Sequence, residues 1–278
     1  MISLTSADLY AWIAAILWPL SRMLGLVAAA PLFGNASVPV SVKVSLGLAL
    51  TLVIAPAVPA LPASDPFSWQ GLLIVAKEML IGLGMGFAMR IVFAAVEMAG
   101  EVSSLTMGFG FATFFDPQTQ GRSGAISQFL ALLATMAFLA VNAHLAVLEV
   151  LAESFYRLPV SGQPFAAGFG FELARWGGEL FRTGVQLSLP LVAALLITNV
   201  ALGILTRAAP QLNIFGIGFP VTLGVGLVVM HLLLPYLSQP FQNLFARGIE
   251  ESRLLPVKAG QWLPGQVGKV PARPGDTK

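Results

Sequence analysis

Charged and hydroxyl side chains set within apolar stretches are where this chain could do chemistry. Gly121-Arg122-Ser123-Gly124 fits a G-x-S-G pattern at the start of an apolar run, and His231 stands in a later one. A serine nucleophile needs a base within hydrogen-bond reach, which two helices supply only where they pack closely. His231 is followed by Leu232, Leu233, Leu234 and Pro235, with no small residue one turn on to allow that approach. The pattern is short and glycine-rich, and His231 reads better as a satisfied core histidine. A second set is Lys77, Glu78, Arg90, Glu97, Glu101 and Arg207, whose charges are costly among apolar residues and need partners. Adjacent Lys77 and Glu78 point about 100° apart on a helix, so Glu78 is placed for partners on other elements. Glu97 and Glu101 share one helix face and repel, with Arg90 on roughly the same face. They read either as a polar stripe lining a cavity or an intersubunit seam, or as structural pairing with neighbouring helices. His144 and Glu149 read as polar contacts inside a bundle.

Composition restricts the chemistry further. Hydrophobic residues make up 56% of the chain and charged residues 10%, against roughly 25% charged in a soluble domain. Too few polar residues are present to cover a water-facing surface, so this is a membrane-class protein. With no cysteine there is no disulfide, thiol nucleophile or thiolate metal site, and the two histidines are far apart. Neither a metal nor a cofactor is expected. A net charge of +2 does not argue for nucleic acid. The first residues lack a basic segment and a small-residue cleavage site, so they are expected to stay in the mature protein.

The elements that must position these residues are apolar runs of about 20 residues, the length that crosses the hydrocarbon of a bilayer as a helix. Six are expected: Leu9 to Ala30, Val40 to Ala57, Gly71 to Met98, Ser123 to Leu151, Thr183 to Thr206 and Leu212 to Leu237. The predicted fold is therefore all-α, a multi-helix integral membrane protein built of helical hairpins. Pro31, Gly34, Asn35 and Pro39 mark a turn after the first run, and the proline-rich stretch near Pro56 to Pro66 marks a stiff connection after the second. Glu172, Arg175, Glu179 and Arg182 give one charged face to a short helix over Phe165 to Arg182. LGLVAAAPLFG at Leu24 to Gly34 echoes LGILTRAAPQLNIFG at Leu202 to Gly216, and each is followed by a Pro-Val pair, Pro39-Val40 and Pro220-Val221, opening another apolar run. Glycines 82, 84 and 86, like 216, 218, 224 and 226, follow no strand, so they serve as thin surfaces for helix packing and not as a nucleotide loop. Residues 1–255 form the helical domain, and the basic tail 256–278 is expected to be disordered.

Between the third and fourth runs lies Glu97 to Gly124, EMAGEVSSLTMGFGFATFFDPQTQGRSG, which mixes carboxylates, glycines and four phenylalanines. Gly108 and Gly110 relax the backbone, while Pro117 removes a donor and disfavours helix at Asp116. It reads as a helix end followed by a flexible, greasy loop. Here a resemblance becomes specific. Arg22 followed by AAPLFGNASVPVSVKVSLGL, KEMLIGLGMGF at Lys77 to Phe87, AGEVSSLTMGFGFATFFDP at Ala99 to Pro117, FLAVNAHLAVLEVLAESFYRLP at Phe138 to Pro159 and the segment Leu189 to Val221 are together similar to the export-gate family of type III secretion, the FliR/SpaR/YscT/HrcT family. FATFFDP at Phe111 to Pro117 looks more like its flagellar branch.

The resemblance implies a non-enzymatic subunit of the gate through which unfolded flagellar substrates are exported, in the bacterial inner membrane within the flagellar basal body. It implies assembly with FliP and FliQ and contact with FlhB, with membrane lipid and with substrates in transit. It also implies that much of the apolar length is buried against sister subunits and not in lipid. The loop Met107, Gly108, Phe109, Gly110, Phe111, Phe114, Phe115, Asp116 and Pro117 then becomes the plug of a closed pore. Two other classes compete: a small-solute secondary transporter, favoured by the buried charges, and more remotely a rhomboid-like intramembrane serine protease using Ser123.

Overall fold

The computed structural model describes residues 6–59, 61–62, 64–111, 124–162, 168–211 and 214–260. Among these residues the protein is all helical, with eight α-helices: α1 Ser6–Ala29, α2 Val40–Ile54, α3 Trp69–Thr106, α4 Ala125–Ala140, α5 Ala143–Arg157, α6 Gly168–Ala208, α7 Ile214–Leu233 and α8 Ser238–Gly260. Helix α3 is the spine. Its 38 residues span about 57 Å at 1.5 Å per residue, far more than the hydrocarbon of a bilayer. Ser68 starts it, its hydroxyl accepting a hydrogen bond from the Gly71 N–H at 3.1 Å, which satisfies one of the donors a helix start leaves open.

α1 runs parallel to α3 at backbone contact. A Cβ on Gly86 would lie 2.8 Å from the Ala30 nitrogen and from the Leu26 carbonyl oxygen, and one on Gly25 or Gly82 would strike the facing backbone too. Glycine is thus required at these three positions by space. The spacing of Gly82 and Gly86 does what the sequence suggests, making α3 thin where another helix must approach. α2 folds back on α1 through a turn in which the Gly34 N–H bonds to Ala30 O at 2.7 Å and Lys43 Nζ bonds to Gly34 O at 3.1 Å.

The second half of the spine is covered by α4, α6 and α8. Phe93 on α3, Phe138 on α4 and Phe245 on α8 pack ring against ring, with centroids 5.4, 5.9 and 5.2 Å apart. The Trp176 Nε1 of α6 donates to Ala88 O at 3.0 Å, and the Ser252 hydroxyl of α8 donates to Met85 O at 3.3 Å. Both bonds lock long outer helices onto the spine by its own carbonyls.

Three expectations change. The run Ser123 to Leu151 is two helices, bent by 67° at Val141 and Asn142; Asn142 has φ 55°, a conformation asparagine tolerates better than most residues. The charged stretch ending at Arg182 is not a separate short helix but the first half of the 41-residue α6. Nothing breaks the ladder between Arg182 and Thr183, because a charged face and an apolar face can share one helical period. The echo is also only partial: Pro39 precedes α2, whereas Pro220 lies inside α7.

Among the described residues, five helical stretches are long and apolar enough to cross a membrane, or six if the bent α4–α5 pair counts as one span. Much of their apolar surface faces outward in the single chain. Val53 on α2 is 77% exposed and Ile197 on α6 is 72% exposed. Helix α8 continues past Leu255, which is fully buried, to Gly260.

Candidate functional site

The spine ends where the loop begins. Met107 caps α3, its N–H bonded to Ser103 O at 3.0 Å, and Gly108 then turns with φ +96°. That angle belongs to glycine by conformation. Phe109–Phe111 form one 3₁₀ turn, with Phe109 half-buried against the main core. Of the predicted loop, Met107, Gly108, Phe109 and Gly110 are thus placed, together with the backbone of Phe111. Phe114, Phe115, Asp116 and Pro117 lie outside the described residues, as does Ser123.

Where the chain is next described, it is back beside the spine. The Gly124 N–H bonds to Glu101 Oε2 at 3.1 Å, and the Ser127 hydroxyl donates to Glu97 O at 2.8 Å. A Cβ on Gly124 would lie 2.8 Å from Ser104 Oγ. The loop therefore leaves α3 and returns to its last three turns, so both of its ends are rooted on one helix. Glu101 has a role that repulsion from Glu97 did not suggest: its carboxylate takes an N–H at the start of α4, where no side chain caps the helix.

The root is seated on α7. Met107 is fully buried, and its side chain fills the space left by Gly226, where a Cβ would lie 2.6 Å from Met107 Cγ. The Phe219 ring covers Gly108, and the Thr222 hydroxyl stands 3.2 Å from Met107 O. None of these α7 residues stands out by type in the sequence. Only the glycine string there pointed to close packing.

The charged set divides. Glu78 is fully buried and takes the Nε of Arg22, also fully buried, at 2.6 Å. Arg22 Nη1 donates to Ser154 Oγ at 2.9 Å, its Nη2 donates to Leu158 O at 3.0 Å, and its guanidinium lies 4.2 Å from the centroid of the Phe155 ring. One arginine thus ties α1, α3 and α5 together. Lys77 reaches Ser161 instead, its Nζ 2.6 Å from the carbonyl oxygen and 2.9 Å from the hydroxyl. Adjacent Lys77 and Glu78 serve different partners, as their divergent directions require. Arg22 is the residue that inspection of the charges undervalued, although an arginine inside the first apolar run was itself the signal.

Arg90, Glu101 and Arg207 are exposed on the single chain and Glu97 is half-buried. Among the described residues Arg90 and Glu97 make no ion pair, and of the stripe they share Arg90 and Glu101 are exposed while Glu97 lies half-buried beside α4. Two further expectations are corrected. His231 is exposed on α7 and is not a core histidine, and Glu149 is exposed on α5. Their helix faces turn away from the spine, which a position within an apolar run does not reveal. His144 is half-buried, with its ring 6.5 Å from Phe138. A mixed groove of about 330 Å³ between α6 and α8 collects Glu172, Arg175, Glu179, Arg182, Arg247 and Glu251 around Trp176.

Comparison with known proteins gives one consistent answer. Residues 13–248 match the family model described as "Bacterial export proteins, family 1". The chain is 41% identical over 246 residues to the flagellar biosynthetic protein FliR of Pectobacterium carotovorum subsp. carotovorum, covering 88% of this chain and 94% of that one. It is 40% identical over 248 residues to FliR of Escherichia coli (strain K12), with the same coverage. It is 32% identical over 229 residues to FliR of Bacillus subtilis (strain 168), covering 81% of this chain and 88% of that one.

Proposed function

This chain belongs to the bacterial export proteins, family 1, and from that premise we propose that it is a structural subunit of the flagellar type III export apparatus. The observation that carries the reading is the family match over residues 13–248, joined to about two-fifths identity with flagellar biosynthetic proteins along nearly the whole chain. The subunit sits in the inner membrane within the basal body and assembles with FliP and FliQ, with FlhB as a further contact. Apolar faces left open on α2, α6 and α7 support such assembly, since they need lipid or sister subunits to cover them. Its gate domain ends near residue 255, and the tail 256–278 lies outside it. No catalytic step belongs to the subunit; its work is to help form a pore and to keep it shut.

The loop from Met107 to Pro117 is the plug in this reading. A closed gate must stop ions and small solutes, yet open for an extended polypeptide. An apolar plug blocks by dewetting and can still be displaced. Rooting at both ends on α3 supports this, because it holds the loop at one place on the helix. Phe109, Phe111, Phe114 and Phe115 supply the seal, and Lys77, Glu78, Arg90, Glu97, Glu101 and Arg207 act in packing and at subunit seams. The test deletes Gly108 to Phe115 and measures ion and small-solute leak, with recovery of FliP and FliQ as the control. Leak that rises in an assembled complex is the expected result. A tight membrane around an assembled complex would move the seal elsewhere.

A further inference from the structure

We infer that α7 carries a latch, made by Thr222 with Gly226 and Phe219, that positions the root of the plug and sets how readily it opens. This rests on the plug reading above. Phe219, Thr222 and Gly226 are spaced i, i+3 and i+7, so they share one face of α7. That face is a socket. Gly226 provides its depth, since a Cβ there would lie 2.6 Å from Met107 Cγ and 2.7 Å from Met107 Cε. Phe219 closes it over Gly108, whose own Cβ would lie 3.0 Å from the ring, and Thr222 forms its polar floor. Met107 is the knob and is fully buried in it.

The floor has two settings. The Thr222 hydroxyl has one proton to give, and three carbonyl oxygens stand within reach: Met107 O at 3.2 Å, and Gly218 O and Phe219 O of its own helix, both at 3.1 Å. Met107 is the C-cap residue of α3, where the carbonyls run out of intrahelical donors. Donation to Met107 O fastens the loop root to α7. Donation to Gly218 or Phe219 releases the root without leaving the buried hydroxyl unsatisfied, so opening costs one bond at Met107 and nothing on α7. Thr222 is 8% exposed, so water does not compete for the closed setting. A positioning residue of this kind tunes the open fraction without touching the substrate.

The test uses the assembled complex in cells and reads entry of sodium ions and of a small membrane-impermeant dye, with recovery of FliP and FliQ alongside. Thr222→Val keeps the shape and removes the proton. It is expected to raise leak about fivefold, the population shift for losing one net hydrogen bond. Thr222→Ser keeps the donor and is expected to stay tight. Gly226→Ala fills the socket and is expected to leak as well, with tightness regained when Met107→Ala is added to make room. Should Gly226→Ala fail to assemble, the valine and serine variants decide alone. Leak from Thr222→Ser equal to that from Thr222→Val would overturn the latch, as would a tight Thr222→Val complex in which deleting Gly108 to Phe115 does leak. If that deletion leaves the membrane tight, the plug reading itself has failed.

Discussion

Arg22 shows how one side chain decides the packing of three helices. Its guanidinium has its charge met by Glu78, its other donors met by Ser154 and Leu158, and its flat face met by Phe155. A buried ion pair stabilises little in net terms, because desolvation offsets most of the Coulomb gain, but removing one partner strands the other. Glu78→Ala or Arg22→Ala is therefore expected to cost about 3 to 5 kcal/mol, seen as loss of full-length chain from the membrane. The paired change Arg22→Met with Glu78→Leu strands no charge and is expected to recover most of the wild-type level. Equal loss from the pair and from the single variants would mean that Arg22 does more than hold helices. The partnership was half legible: Glu78 had to find a partner away from Lys77, but nothing in the order of residues says that the partner lies 56 positions earlier.

At the scale of elements, the glycines of α3 separate into those the packing needs and those it does not. Gly86 meets the backbone of α1, which cannot give way, so Gly86→Ala is expected to push α1 from the spine and weaken the chain by more than the 1 kcal/mol or so that helix propensity would return. Gly177 on α6 has open space around it. Gly177→Ala is expected to be neutral or to stabilise by up to about 1 kcal/mol. Limited proteolysis of the detergent-extracted complex compares them directly: faster cleavage near Ala30 to Pro39 for Gly86→Ala, unchanged cleavage for Gly177→Ala. An undisturbed Gly86→Ala pattern would show that α1 and α3 can separate at no cost. The bend at Asn142 and the continuity of α6 through Arg182 were misread from the sequence for a shared reason. Apolar length marks where helix is favoured, but where a helix bends or continues is decided by what lies alongside.

For the whole molecule, the decisive feature is an apolar exterior that the single chain does not cover. Ile197 and Val53 are among the most exposed apolar side chains, yet neither helps hold the chain's own core. Ile197→Glu is therefore expected to leave the chain folded and to lower its recovery with FliP and FliQ by about a hundredfold, since a carboxylate in such surroundings costs about 3 kcal/mol. Normal recovery would place that face of α6 in water. The charges on α5, on the first half of α6 and on α8 are mostly exposed, among them Arg175 and Arg182 at 58% and 67%. The spine beside them is apolar all the same. Helix α3 is thus a core helix along that length, covered by amphipathic neighbours, and its hydropathy reports burial in protein there as readily as burial in lipid.

The sequence by itself determined the class, the all-helical fold, the family and the place of the loop. Those follow from composition, from apolar run length and from long ordered motifs, all of which are local or additive along the chain. The tertiary structure decided which charges pair, which glycines are required, and that α7 holds the root of the loop. It also turned His231 and Glu149 outward, against expectation. These depend on the rotation of one helix about its axis relative to another, and a shift of one residue turns a side chain by about 100°. No single helix fixes that rotation; it is set by steric fit between helices, such as Met107 entering the space beside Gly226.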